Sequence, residues 1–224
     1  MTALVVAALS AREVGRRRVA LALMVTLPLW FYLLRRDVEG QSIRMLALGM
    51  GWAVSALTLF VVIASRGVDP RLRLTGASTL DVIGGRLLAL TGGGVVLALG
   101  YWALILADQR PARPWAAGLM MVLTAVIAAP LGSLVAALLP RELEGALALL
   151  SICAAQMLAD PPTLAAHLMP FWSFRELGTY VVDGAGPDYL WRGLLHAAVT
   201  WLICTGGTYA LFAWRLRLPR YPEP

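Results

Sequence analysis

Residues 45–65, MLALGMGWAVSALTLFVVIAS, run for 21 positions without one charged side chain. About 20 apolar residues in a helix cross the roughly 30 Å of hydrocarbon in a bilayer. A helix is the natural form there, because it satisfies its backbone N–H and C=O groups internally. Arg44 and Arg66 bound the run, so the charges fall where a span would end. The stretch reads as a spanning helix.

Working outward, the other long charge-free intervals are 19–34, 87–107, 114–140, 145–159, 161–174 and 193–214. All but two of them can span alone or with small help from their flanks. The interval 145–159 is short, but Leu143 and a snorkelling Arg141 extend it toward one interface. The interval 161–174 opens on Pro161-Pro162 and is broken again at Pro170, and it reads as re-entrant or interfacial. The expectation is an all-α membrane protein with six transmembrane helices.

Composition agrees. Of 224 residues, 19 are Lys or Arg and 13 are Asp or Glu, so 14% are charged, against about 25% in a soluble domain. Hydrophobic residues make up 59%, and the mean hydropathy is +0.74. Polar surface is too scarce to cover a soluble enzyme of this size, and disorder needs the opposite composition. Every basic residue is arginine. Cys153 and Cys204 fall in spanning intervals, where they act as small apolar residues rather than a metal motif or disulfide framework.

Arginine placement sets the expected orientation. With the N-terminus inside, 12 arginines (12, 16, 17, 18, 66, 71, 73, 86, 141, 215, 217 and 220) are cytoplasmic. The other 7 (35, 36, 44, 110, 113, 175 and 192) lie outside. Both termini are then cytoplasmic. The net charge of +6 suits anionic lipid headgroups, and no soluble basic domain calls for nucleic acid. Arg35 and Arg36 follow the first apolar stretch where a signal peptide would carry small residues, so it does not read as cleavable.

Three stretches outside the spans carry information. Residues 1–18 place Leu4, Val5, Ala8 and Leu9 on one side of a helix and gather Arg12, Glu13, Arg16 and Arg17 at its end, the pattern of an amphipathic interfacial helix. Residues 66–86, RGVDPRLRLTGASTLDVIGGR, form a cytoplasmic loop in which Leu72, Leu74, Leu80, Val82 and Ile83 alternate with Arg and Asp. Apolar residues on an aqueous loop predict a covered surface. A short helix beginning near Asp69-Pro70 could dock in a partner's groove. Residues 160–182 carry Phe171, Trp172, Phe174 and Tyr180 between prolines, which predicts two short helices capping a pathway from outside.

Catalytic chemistry is sparse. His167 and His196 are far apart in sequence and lack metal-ligand spacing, and Gly132-Ser133-Leu134 lacks the second glycine of a nucleophile motif. No G-x-x-x-x-G-K-[ST] phosphate loop exists in a chain without lysine. Charges are absent from the predicted span interiors, which argues against an ion-coupled relay. Any nucleotide-driven action must use another polypeptide.

Taken in order, these features resemble the membrane subunit of type-2 ABC exporters, the ABC-2 permeases. The likeness rests on Arg12-Glu13 in the N-terminal helix, Pro28 in the first span, Ser78-Thr79-Leu80-Asp81-Val82-Ile83-Gly84-Gly85-Arg86-Leu87-Leu88-Ala89, Leu131-Gly132-Ser133-Leu134 through Leu139-Pro140-Arg141-Glu142, and the broken stretch before the last span. Arg66 before Gly67 and Thr79 after Ser78 depart from the family pattern. The resemblance implies domains at 1–18 and 19–224, with a coupling segment at 66–86 and an extracellular re-entrant segment at 160–182.

It further implies a permease in a bacterial cytoplasmic membrane that exports an amphipathic drug-like molecule or lipid. Partner ATPase subunits would hold the ATP and Mg, with no cofactor on this chain, and a second permease, identical or different, would complete the unit. Implied ATPase-coupling residues are Arg12, Glu13, Arg71, Leu72, Leu74, Thr75, Ser78 and Asp81. Implied path residues are Tyr32, Trp52, Ser55, Thr58, Thr124 and Ser133. The alternatives are a non-transporting anchor or sensor that recruits a cytoplasmic partner, and an intramembrane enzyme using His196.

Overall fold

The computed structural model describes residues 2–38, 40–160 and 163–216. Pro161-Pro162, Arg217 and Arg220, which the sequence reading used, lie outside the described residues. The described chain is helical throughout: α1 (Ala3–Arg16), α2 (Arg18–Leu33), α3 (Gln41–Ser65), α4 (Asp69–Leu74), α5 (Thr79–Asp108), α6 (Pro114–Leu138), α7 (Glu142–Leu158), α8 (Leu164–His167), α9 (Trp172–Val182) and α10 (Pro187–Arg215).

Four of these, α3, α5, α6 and α10, are long and apolar enough to cross a membrane. The architecture is that of an all-helical membrane protein. The expectation was six such helices, and α2 and α7 fall short for visible reasons. α2 has 16 residues and Pro28 inside it, and α7 has 17 residues and opens on Glu142 and Glu144. Full crossing takes about 20 residues.

The four long helices divide by burial. α3 and α6 form the centre, with Leu46, Met50, Leu59, Met120, Met121 and Ala128 sealed from solvent. α5 and α10 lie outside them and expose Leu88, Val96, Leu195, Leu202 and Ile203. An exposed apolar face this long is stable only where lipid or another apolar surface covers it.

Small residues set how closely the centre packs. A Cβ placed on Gly132 of α6 would lie 2.9 Å from the Ser55 Cα of α3, and Ser55 Oγ donates to the Ala128 carbonyl at 2.9 Å. Such approach is the usual basis of helix association without a hydrophobic driving force. α2 packs on α3 in the same way, since a Cβ on Gly49 would meet Pro28 Cα at 3.0 Å. Tyr101 of α5 donates to the Val25 carbonyl of α2 at 2.6 Å, using an acceptor near Pro28.

Arginines close the ends. Arg66, just past α3, donates to the Pro140 and Leu139 carbonyls at 2.8 and 3.0 Å and to that of Ala136, so it caps the C-terminus of α6. At the other end of α6, Arg113 donates to the Tyr180 and Ala185 carbonyls at 2.6 and 2.8 Å and lies 3.8 Å from the Tyr180 ring centroid. It ties the α5–α6 connection to the α9–α10 connection. Arg36 pairs with Asp108, which also accepts from Tyr32, joining the ends of α2 and α5.

Candidate functional site

The start of α5 gathers α1 and α4 around it. Ser78 caps α5: its Oγ accepts from the Asp81 N–H at 3.0 Å, and the Asp81 carboxylate accepts from the Ser78 N–H at 3.0 Å. This reciprocal pair fixes where α5 begins. Gly76, at φ +88°, makes the preceding turn, a left-handed conformation that suits glycine. α4 starts at Asp69-Pro70, proline being tolerated in a first helical turn.

The joint between α4 and α5 is a buried ion pair. Arg86 Nη2 donates to Asp69 Oδ1 at 2.6 Å and Nη1 to Oδ2 at 3.2 Å, with the side chains 6% and 2% exposed. Two hydrogen bonds in a fork are the strongest form of this contact. Arg86 lies two turns inside α5, so the helix starts before the charge-free interval that opens at residue 87. The spacing of 17 residues to its partner carried no local signal.

α1 lies along α5, and a Cβ on Gly85 would meet Val6 Cβ at 2.8 Å. Val6 and Ser10 are buried on that side, while Leu4, Val5 and Leu9 face outward and remain exposed. A groove between α1 and the α3–α4 corner is lined by Leu9, Glu13, Val68, Leu72 and Arg86. Beside it stand Leu74, Val68 and Leu80, exposed at 75%, 50% and 63%.

Of the residues implied for coupling, the structure brings most to this end. Arg71, Leu74, Ser78 and Arg12 are exposed, Leu72 is half-buried, and Thr75 Oγ1 donates to the Leu72 carbonyl at 2.9 Å. Glu13 pairs with Arg17 at 2.9 Å. Asp81 serves the cap of α5, a structural role the sequence reading did not give it.

The residues implied for a path are placed differently. Ser55, Thr58, Thr124 and Ser133 are buried within α3 and α6. Thr124 Oγ1 donates to the Met120 carbonyl of its own helix at 2.8 Å. Trp52 lines an apolar groove of about 190 Å³ with Leu23, Leu27 and Phe60. Tyr32 stands apart, engaged with Asp108.

At the far end, α8 and α9 fold the stretch after α7 into two short helices separated around Pro170. The fold joins the two histidines that the sequence separates: His196 Nε2 donates to the His167 carbonyl at 3.0 Å, and Trp172 lies 4.5 and 5.1 Å from the two rings. That bond leaves His196 Nδ1 as acceptor for Thr200 at 3.4 Å.

Glu176 of α9 is buried, and its Oε2 has no hydrogen-bond partner among the described residues. Burial pushes its carboxyl pKa up, against the opposing pull of Arg192, Arg175 and His167. The folded chain therefore holds this proton more tightly than the unfolded chain. Stability falls as pH rises from the unfolded value through the folded one. Glu176→Gln is expected to melt a few degrees higher than the parent at neutral and mildly alkaline pH, about 1 kcal/mol corresponding to about 2–4 °C in a chain of this size. The difference should close in acid, below the ordinary glutamate range, when melting is followed by tryptophan fluorescence. Comparison with protein-family models gives no match for this chain, and comparison with curated proteins gives none.

Proposed function

We propose that the chain is the permease subunit of an ATP-driven exporter of the ABC-2 type, moving an amphipathic drug-like molecule or lipid out of a bacterial cytoplasm. The observation that carries the reading is the α1–α4–α5 corner. A short helix with exposed Leu74 and Arg71 is held to a long apolar helix by a buried ion pair. A force applied to α4 by a docked ATPase would reach α5 through Asp69 and Arg86 rather than being lost in a loose loop.

In this reading α2 and α7 are the fifth and sixth spans, completed by their flanks, and α8 and α9 are re-entrant. α1 lies in the inner interface, its Leu4, Val5 and Leu9 in lipid and its arginines among phosphates. The 12 to 7 arginine split puts the α1–α4 end in the cytoplasm. Two permeases and two ATPases form the unit, and ATP binding on the ATPases biases a two-state bundle.

The test uses Leu74→Asp. A surface substitution of this kind changes stability by within about 0.5 kcal/mol, so the variant should purify and melt as the parent does. Reconstituted with its ATPase in vesicles, it should lose about tenfold of permease-stimulated ATP hydrolysis, a coupling loss of about 1.4 kcal/mol. Unchanged stimulation, or equal transport with the ATPase omitted, would overturn the proposal. Loss of ATPase recruitment by the variant, beside a parent chain that recruits the ATPase but moves nothing, would favour the anchor.

A further inference from the structure

The α9 end of the bundle carries a second feature, remote from the α1–α4 corner. Between α3, α7 and α9 lies a cavity of about 430 Å³ lined by Gln41, Arg44, Gln156, Arg175, Thr179 and Asp183, with apolar residues between them. That volume is in the range of small-molecule sites.

Gln156 is the informative residue. The residue is 5% exposed, yet neither its amide nitrogen nor its amide oxygen has a hydrogen-bond partner among the described residues. A buried primary amide carries two donor hydrogens and an acceptor, and leaving all of them unmade is costly. Leucine would fill such a position in an apolar helix without that cost. α7 is otherwise mostly Ala and Leu through this turn, so an amide here answers to something in the cavity.

Charge in the cavity is not balanced. Arg44 is committed to Asp183 at 2.6 Å, while Arg175 makes no ion pair among the described residues. Its charge is felt at the neighbouring Glu176, where burial nonetheless pushes the carboxyl pKa up. One guanidinium is left to meet an anion, and a guanidinium binds carboxylate or phosphate oxygens in a fork. Thr179 and Gln41 supply further polar groups on the wall.

We infer that this cavity binds a small organic monoanion whose oxyanion meets Arg175 and whose neighbouring amide or hydroxyl pairs with Gln156. The inference does not depend on the transport reading. The same chemistry occurs in a soluble carboxylate and in a phosphatidylglycerol headgroup, and the cavity lies at the end of the bundle where either could arrive.

The soluble probe is N-acetylglycine, which holds one carboxylate beside one amide, with neutral N-acetylglycinamide as its control. Saturation-transfer NMR on the full chain in uncharged detergent should show saturable binding of N-acetylglycine at millimolar concentration. Binding should weaken about tenfold or more for the neutral control, for Arg175→Gln and for Gln156→Leu. Gln156→Leu should melt at or above the parent temperature without probe, which separates lost recognition from lost folding. In the lipid arm, the chain in phosphatidylglycerol or phosphatidylcholine nanodiscs is read by native mass spectrometry. Retention of phosphatidylglycerol by the parent and not by Gln156→Leu assigns the site to a headgroup, and binding of the soluble probe without such retention assigns it to a free anion. Absence of both, or equal binding by parent and both variants, would overturn the inference.

Discussion

Arg86→Met, with Asp69 left in place, is expected to cost about 3–5 kcal/mol, because it strands a buried carboxylate that has lost both of its hydrogen bonds. Asp69 and Arg86 are 2% and 6% exposed at the side chain and sit 2.6 Å apart, so neither charge has water to fall back on. Asp69→Asn should be costly for the mirror reason, leaving the guanidinium inside α5 without its counter-ion. Removing both charges together, as Asp69→Leu with Arg86→Met, should recover much of the loss, since apolar residues of similar volume often replace a buried pair at little cost. Melting temperature and urea unfolding in detergent report the series. A double variant no better than either single one would mean that the pair is not coupled. If the recovered double variant still fails to stimulate an ATPase, the ion pair transmits force in addition to holding the fold.

Gly132→Val is expected to be nearly as damaging, by a different route. The added atoms would collide with the Ser55 backbone of α3, and backbone cannot swing aside as a long side chain can. The α3 and α6 axes would have to separate, breaking the Ser55 to Ala128 hydrogen bond and opening gaps between Met50, Leu59 and Met121. Overpacking of this kind costs about 1–3 kcal/mol, and the lost hydrogen bond adds about 1 kcal/mol. Gly92→Ala is the control, since nothing lies within 4 Å of a Cβ there. Helix propensity predicts that it is neutral or stabilising by up to about 1 kcal/mol. Equal melting temperatures for the two variants would show that the close crossing is not limiting.

Much of the helical outline was legible because charge and proline act locally. Arg66 lies just past the end of α3, which begins at Gln41, three residues before Arg44, and Pro114 opens α6. Asp69-Pro70 announced α4. Helix length was harder to read: α5 begins at Thr79 and absorbs Arg86, although the charge-free interval suggested a start at residue 87. A cap formed by Ser78 outweighs a charge that finds a partner.

The candidate sites were less legible. Leu72 and Leu74 stand out from the alternation of apolar and charged residues and Arg71 from the family resemblance, and all three share one end of the bundle. The partner of Arg86, the meeting of His167 with His196 and the isolation of Gln156 had no sequence signal. Each depends on residues brought together across 17 or more positions or on different helices. The hydroxyls of Ser55, Thr58, Thr124 and Ser133 looked equally suited to a lining and to packing, and the structure places them in helix packing within this chain.

By itself, the sequence determined that this chain is helical and belongs in a membrane. Scarce charge, clustered into gaps, leaves no other way to cover the apolar surface and satisfy the backbone. Tertiary structure alone decided which helices are central. α3 and α6 carry glycine, alanine and serine where the other helix passes, whereas α5 and α10, also apolar enough to cross a membrane, turn much of that surface outward. Hydropathy records how a residue partitions between water and oil, and it is blind to whether the oil is lipid or protein. The same limit hid the Asp69–Arg86 clamp and the unpaired amide of Gln156, because the energy of a buried polar group depends on its partner and not on its own identity.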